Sequence, residues 1–413
     1  MMTTFKLLLQ LAWRNLWRNW RRTLILLLAV SVGVWSLTSS SSLMKAWSAS
    51  SLDSGLHNLT GQGQIHALGY RDDPGVTQRL PTPGGKLKEL LNAPRVAHWA
   101  PRVSVPAVIQ SEYDTYPITL TGVVPEREQG LSFIPDTISE GRYLNGTDDA
   151  GLLLGRKLAK RLHTGLGRRV VLMSQAADGS LAERGFQVVG IFSSAPDNEI
   201  NLVFTGLANS QAMLGLNNDP KGQITGISFA LGDINNLAGF VLDLRGAAPG
   251  LDIQPWNVLL PLVSAVNQLS DSFVVVWLAI MFTLLGFGIV NTLLMSLFER
   301  TREFGLLQAL GMKPRLIFVH VTLETIMLVG LGTLLGLFSG ALTIFAFHDG
   351  LNLGFLAAGA QWLGAGQILY PKLIPDEFFG SGILIWVLGV GASLWPAWRA
   401  IRKTPIDAMR RQT

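Results

Sequence analysis

Few residues in this chain are placed to do chemistry. Two long apolar runs, Phe273 to Leu297 and Leu316 to Phe347, contain one acidic or basic side chain between them, Glu324. Each run is long enough to cross a bilayer as a helix. An acid inside such a run is costly and is a functional suspect by default. With His320 one turn before it, Glu324 admits proton coupling. It lies within about three helical turns of a basic segment, so it equally admits a structural pairing with an arginine there. Asn291, in the first run, reads as an interhelical hydrogen bond or as a contact with a transported molecule. Elsewhere the inventory is thin. His57, His66, His98 and His163 lack the His-x-x-x-His spacing of a metal-binding helix and read as isolated surface histidines. No Gly-x-x-x-x-Gly-Lys-Ser/Thr loop is present to cradle nucleotide phosphates, and no Gly-x-Ser-x-Gly elbow carries a nucleophile. The absence of cysteine excludes disulfides and thiolate chemistry. The chain therefore reads as no enzyme in its own right, with neither a catalytic nor a metal site.

Between the two runs lies the segment Ser296 to Arg315, short, charged and helix-forming. Arg300, Arg302, Lys313 and Arg315 crowd it, and basic residues collect on cytoplasmic loops, so this turn of a membrane hairpin is expected to face the cytoplasm. Leu306, Leu307 and Leu310 recur at helical spacing beside Phe304. Glu299 and Glu303 are four apart, and Arg302 is three from Glu299, spacings that support a helix. Gly311 stands where a helix would end, and Pro314 follows. The apolar face of this helix either packs on the bilayer and its own spans or inserts into a groove of a cytoplasmic partner.

The elements around these residues follow from composition. Of 413 residues, 48% are hydrophobic and 15% charged, with a mean hydropathy of +0.34 and a net charge of +5. That is the balance of a membrane protein with one sizeable extramembrane domain, and its basic excess serves orientation and lipid contact, not nucleic acid. The expected order is an interfacial helix over 1–22, in which Trp13, Trp17 and Trp20 share a face. A retained first span follows over 23–46, too long and too Ser-rich at its end for a signal peptide. A domain occupies 47–271, a second span 272–298, the cytoplasmic helix 299–315, a third span 316–347, an outer segment 348–380, a fourth span 381–397 and a basic tail 398–413. Gly332, Gly336 and Gly340 form a double small-residue repeat in the third span. Gln361 to Gln367 suits a stretch lying along the interface. In the domain, turn signals such as Asp73-Pro74-Gly75 and Asn145-Gly146 separate β-rich runs at Val103–Gln110, Tyr116–Val124, Arg169–Ser174 and Phe186–Phe192. Helices fit Lys86–Leu91, Gly155–Leu162 and Ala208–Leu214, giving an α+β domain of about 200 residues in one or two lobes.

The string Arg302-Glu303-Phe304-Gly305-Leu306-Leu307-Gln308-Ala309-Leu310-Gly311 resembles the coupling helix of a permease superfamily that includes the macrolide-exporter, lipoprotein-release and cell-division permeases. Ala12-Trp13-Arg14-Asn15-Leu16-Trp17-Arg18-Asn19 resembles that family's start, and Pro396 to Arg410 resembles its ending. Between them, Thr121 to Glu128, Ile138 to Leu144, Leu153 to Ala159 and Phe186 to Phe192 resemble strings of its extracytoplasmic domain, in order. Similarity is greatest to the lipoprotein-release permeases.

The resemblance implies an α-helical membrane protein with four transmembrane helices and a large extracytoplasmic α+β domain between helices 1 and 2. It also implies a bacterial inner-membrane location with both termini cytoplasmic. Arg302, Glu303, Phe304, Gly305, Leu306, Leu307, Ala309, Leu310 and Gly311 would couple the chain to an ABC ATPase. Two such permeases, alike or related, would work with two ATPase subunits that carry ATP and Mg. ATP-driven closure would push the coupling helices, and the spans would relay the motion to the outer domain, a mechanotransmission machine. One expected task is release of lipoprotein to a periplasmic carrier, with Trp35, Phe282, Leu285, Phe287 and Ile289 lining an acyl-chain cavity between subunits. Alternatives are export of a peptide, drug or lipid-like molecule by the same machine, and activation of a periplasmic cell-wall hydrolase.

Overall fold

The computed structural model describes residues 2–18, 20–217, 223–300, 303, 305, 306, 308, 311–352 and 368–401. The chain divides into two compact units: one holds the residues up to 50 and from 266 onward, the other the stretch between.

The first unit is helical. α1 (Met2–Arg18) precedes α2 (Trp20–Gly55), and the later long helices are Pro261–Glu299, Pro314–Ala346 and Pro375–Ile401. Four stretches are long and apolar enough to cross a membrane, at Trp20–Thr60, Pro261–Thr292, Pro314–Ala346 and Pro375–Trp395, with mean hydropathies of 1.8, 2.6, 2.0 and 1.7. Leu16, Leu26, Val30, Val34, Leu37, Ile289, Leu328, Val329 and Ile385 form the buried cluster between them. The small-residue repeat explains the closest approach. A Cβ on Gly332, Gly336 or Gly340 would fall 2.8 Å from Val30, 2.6 Å from Val34 and 2.3 Å from Thr38. The two helices thus mesh at every fourth residue, and Ser31 Oγ donates to the Gly332 carbonyl at 3.1 Å. At the end of the bundle away from the 300s turn, Lys45 Nζ bridges Asp271 (2.8 Å) and Glu377 (3.4 Å), and Ser48 Oγ donates to Asn267 Oδ1.

The second unit is α+β, with ten strands: β1 (Gly63–Ala67), β2 (Val96–Gln110), β3 (Thr115–Val123), β4 (Ile138–Gly141), β5 (Gly151–Gly155), β6 (Arg169–Gln175), β7 (Leu181–Phe192), β8 (Leu202–Gly206), β9 (Gly226–Leu231) and β10 (Leu251–Pro255). Six of them close a ring in the order β2-β3-β8-β5-β7-β6 and back to β2. Closure removes the strand edges that would otherwise need covering. Of the other four, β4 adds to the ring at β7, and three make a wing, β10-β1-β9, that joins the ring through β2. β2 serves both parts: Val96–Arg102 pairs with β9, and Val103–Gln110 pairs with β3. One long strand therefore ties two lobes together. Phe133, Phe192 and Phe204 pack with ring centroids 5.5–6.0 Å apart in one core, and Phe229 meets Phe240 at 5.4 Å in another.

The expected helices appear at Gly85–Leu91, Arg156–Arg161 and Leu207–Leu214; the four expected strands appear too, three of them longer than expected and β3 of the same length but one residue earlier. Sequence reading missed the helix Leu237–Ala247 and six short strands, β1, β4, β5, β8, β9 and β10. Those strands are four to six residues long, and several contain or end in glycine, so no alternation is long enough to register. The second long helix also begins at Pro261, eleven residues before the expected start of the span at Ser272. Gln361 to Gln367 lies outside the described residues, as does the tail from 402 onward.

Where the α+β unit begins, the backbone is strained and tightly held. After α2 a π-helical stretch, Leu56–Thr60, holds Leu59 at φ +68°. Non-glycine residues rarely adopt that conformation. The Leu59 carbonyl accepts from Arg102 Nη1, from Ser228 Oγ at 3.2 Å and from Gln64 Nε2 at 3.3 Å. Arg102 is itself fixed by a two-point pairing with Glu128, Nε to Oε1 at 2.8 Å and Nη2 to Oε2 at 2.7 Å. Both side chains are almost fully buried.

Candidate functional site

The turn after Glu299 is built by charge as much as by helix propensity. Glu299 is the last residue of the second long helix; Lys313 caps the third, which starts at Pro314. Gly311 takes φ +95°, which only glycine adopts freely, and its N–H donates to the Gln308 carbonyl at 3.0 Å, closing the short helical stretch. Of the residues expected to couple to a partner, Arg302, Phe304, Leu307, Ala309 and Leu310 lie outside the described residues. Glu303, Gly305 and Leu306 are helical; Gly305 is buried, and Leu306 is 65% exposed.

The acids of the turn do not wait for a distant partner. Arg18 Nη2 donates to both oxygens of Glu303, at 3.0 and 2.9 Å. Arg22 makes a fork-to-fork pairing with Glu299, both distances 2.5 Å. Beyond the membrane-spanning stretch, the Arg22 hydrogen bonds hold the Glu299 carboxyl below the usual carboxylate range. The signal for this arrangement was present but unread. Arg18 and Arg22 are four apart, as are Glu299 and Glu303, so two matched ladders face each other in opposite directions.

Beneath this layer lies a buried one. Arg300 Nη1 meets Glu324 Oε2 at 3.2 Å, with the arginine 5% and the glutamate 16% exposed at the side chain. The intramembrane acid is thus paired with an arginine of the turn. Asn15 Nδ2 donates to His320 Nε2 at 2.9 Å, one turn away on the same helix. Asn15, Arg22, Thr23, Leu26, Ile289, Thr292, Arg300, Glu324, Thr325 and Leu328 enclose a cavity of about 40 Å³. Arg300 Nε has no hydrogen-bond partner among the described residues. A polar chamber of that size accommodates ordered water.

The residues expected to line an acyl-chain cavity between subunits do not form one within this chain. Phe282 and Ile289 share a narrow apolar crevice with Val30, Gly286, Val329, Ile385, Leu388 and Gly389. At about 10 Å³ it is too tight for a lipid chain. Ile289 is sealed in the bundle core, Phe287 is 74% exposed, and Trp35 instead donates to Thr343 Oγ1 at 2.9 Å. The Leu285 side chain lies outside the described residues. Asn291 is exposed and meets no hydrogen-bond partner among the described residues of this chain. Among the described residues no cluster of three or more His, Asp or Glu is placed to hold a metal ion.

Comparison with known proteins supplies what the geometry alone leaves open. Residues 275–405 match the FtsX-like permease C-terminal family, and residues 23–238 match the MacB-like periplasmic core domain. The chain is 24% identical over 339 residues to the lipoprotein-releasing system transmembrane protein LolE of Haemophilus influenzae, covering 78% of this chain and 79% of that one. It is also 24% identical over 338 residues to LolC of Xylella fastidiosa, covering 77% and 78%. A shorter match, 30% identical over 123 residues, reaches the macrolide export ATP-binding/permease protein MacB of Chlorobium luteolum, covering 30% of this chain and 16% of that protein. The buried Glu324–Arg300 pair and the turn fall within the first matched region and most of the α+β unit within the second, and the protein belongs to the family of multi-pass ABC-transporter permeases with a MacB-like periplasmic core domain and an FtsX-like permease C-terminal domain.

Proposed function

We propose that this chain is the permease subunit of an ATP-driven machine that releases lipoproteins from the bacterial inner membrane. The observation that carries the reading is the match, over more than three quarters of the chain, to two proteins named for lipoprotein release. The chain has no phosphate-binding loop, so ATP and Mg bind a separate ATPase subunit. The 299–315 turn is its docking element and faces the cytoplasm together with both termini. Its exposed Leu306, on a short helix with buried Gly305 behind it, has the character of a knob for a partner's groove. Two permeases, alike or related, pair with two ATPases, and closure of the ATPases is relayed through the spans to the periplasmic domain.

Purification in mild detergent from native membranes tests this. An ABC ATPase should accompany the wild type and be lost with Glu303→Ala/Leu306→Asp. Absence of any ATPase from the wild-type sample would overturn the reading. The MacB-like core domain favours a second reading, export of a peptide, drug or lipid-like molecule by the same machine. Photoreactive groups placed at Phe282 and Phe287 separate the two, since crosslinks to acylated protein appear only under the first.

A further inference from the structure

The N-terminal stretch, expected to lie at the bilayer interface through its tryptophans, keeps Trp13, Trp17 and Trp20 exposed and packs its other face on the bundle. Leu8, Ala12 and Leu16 of α1 are buried at 4%, 0% and 2% exposure. Asn15 reaches His320 of the third long helix. Seated in this way, the segment aims Arg18 and Arg22 at Glu303 and Glu299. Both acids of the turn are therefore neutralised within the chain. Of the exposed cations of the N-terminal stretch and the turn, Lys6, Arg14, Arg21, Lys313 and Arg315 have no ion-pair partner among the described residues. Leu306 stands exposed on the same turn.

Resting on the permease reading above, we propose that α1 and the turn form one docking platform in which Arg18 is a positioning residue. Arg18 holds Glu303 in cis and so sets the angle at which Leu306 is presented. Glu303 then acts through Arg18 and not through a contact with the ATPase. The ATPase surface that fits has an apolar pocket for Leu306 and an acidic rim, because the platform's uncompensated charge is positive. Exposed ion pairs add little stability, but a two-oxygen arginine contact fixes direction, which is what a docking element needs.

A charge swap tests this. Wild type, Arg18→Glu, Glu303→Arg and the double variant Arg18→Glu/Glu303→Arg are purified in mild detergent, and the ATPase retained per permease and its ATP turnover are measured. Each single variant should retain about fivefold less ATPase, and the swap should recover to within about twofold of wild type. Arg18→Gln, which removes the pairing without adding repulsion, should lower retention about threefold with an unchanged melting temperature, so that loss of fold is not mistaken for loss of docking. Wild-type retention in Arg18→Gln overturns the proposal. So does a swap that stays as low as Glu303→Arg, which would make Glu303 a direct contact. A wild type that retains no ATPase overturns the permease reading as well, and is told apart by that.

Discussion

Three ion pairs in this protein do different work, and burial decides which. Arg102 and Glu128 are buried, doubly hydrogen-bonded and aimed at the carbonyl of a strained residue, Leu59. Removing one partner strands the other charge, so Arg102→Met should destabilise the periplasmic domain by about 3–5 kcal/mol. Arg102→Met/Glu128→Leu should recover part of that loss, measured by urea unfolding followed by tryptophan fluorescence. Asp149 is held differently. The Arg142 guanidinium, helped by the Asn145 and Gly151 amides, lowers its carboxyl to about 2. The folded value lies below the unfolded one of about 3.9, so the contribution is full above that pH and is lost as pH falls toward 2. Asp149→Asn should therefore flatten the acid limb of the stability curve between about pH 4 and 2 and leave its shape near neutrality unchanged. Glu324 was legible as an anomaly, a lone acid in an apolar run, and its pairing with an arginine of the turn could be anticipated from position. That Arg18 and Arg22 would take the other two acids was not, since nothing local shows that a segment almost three hundred residues earlier returns to the turn.

At the scale of elements, the long helices were readable because each run is apolar over many turns and ends at charge, glycine or proline. The glycine repeat was readable for the same reason, as a stripe at fixed spacing. Its partner was not, because Val30, Val34 and Thr38 look like any apolar helix until Gly332, Gly336 and Gly340 are laid against them. The consequence is specific. Gly336→Ile places carbon where Val34 and the Ser31 carbonyl already lie within 2.7 Å, and should cost about 1–3 kcal/mol, seen as a lower melting temperature in detergent. Gly286→Ala has open space around it and should melt like wild type. The short strands escaped the sequence because pairing, not alternation, makes them: β5 is buried throughout, between β7 and β8, and reads only as Gly-Leu-Leu-Leu-Gly.

For the whole molecule, architecture and family were legible, and the substrate was not. Four apolar helices, a charged turn and a turn-rich domain follow from composition, and the family strings lie in order along the chain. Residue type cannot say which face of a helix looks outward: Ile289 is turned to the core of the chain, while Phe282 and Phe287 are exposed and free to face a second subunit. What carries the functional claim is thus the turn with its layered ion pairs and the length of the match to lipoprotein-release proteins. The most direct test is release itself. The permease, with the ATPase that copurifies, is reconstituted in proteoliposomes carrying a triacylated lipoprotein, and the lipoprotein freed into solution with a soluble acceptor is measured with and without ATP. The account predicts ATP-dependent release that Glu303→Ala/Leu306→Asp abolishes while the fold persists. Vigorous ATP turnover with no lipoprotein freed would contradict it.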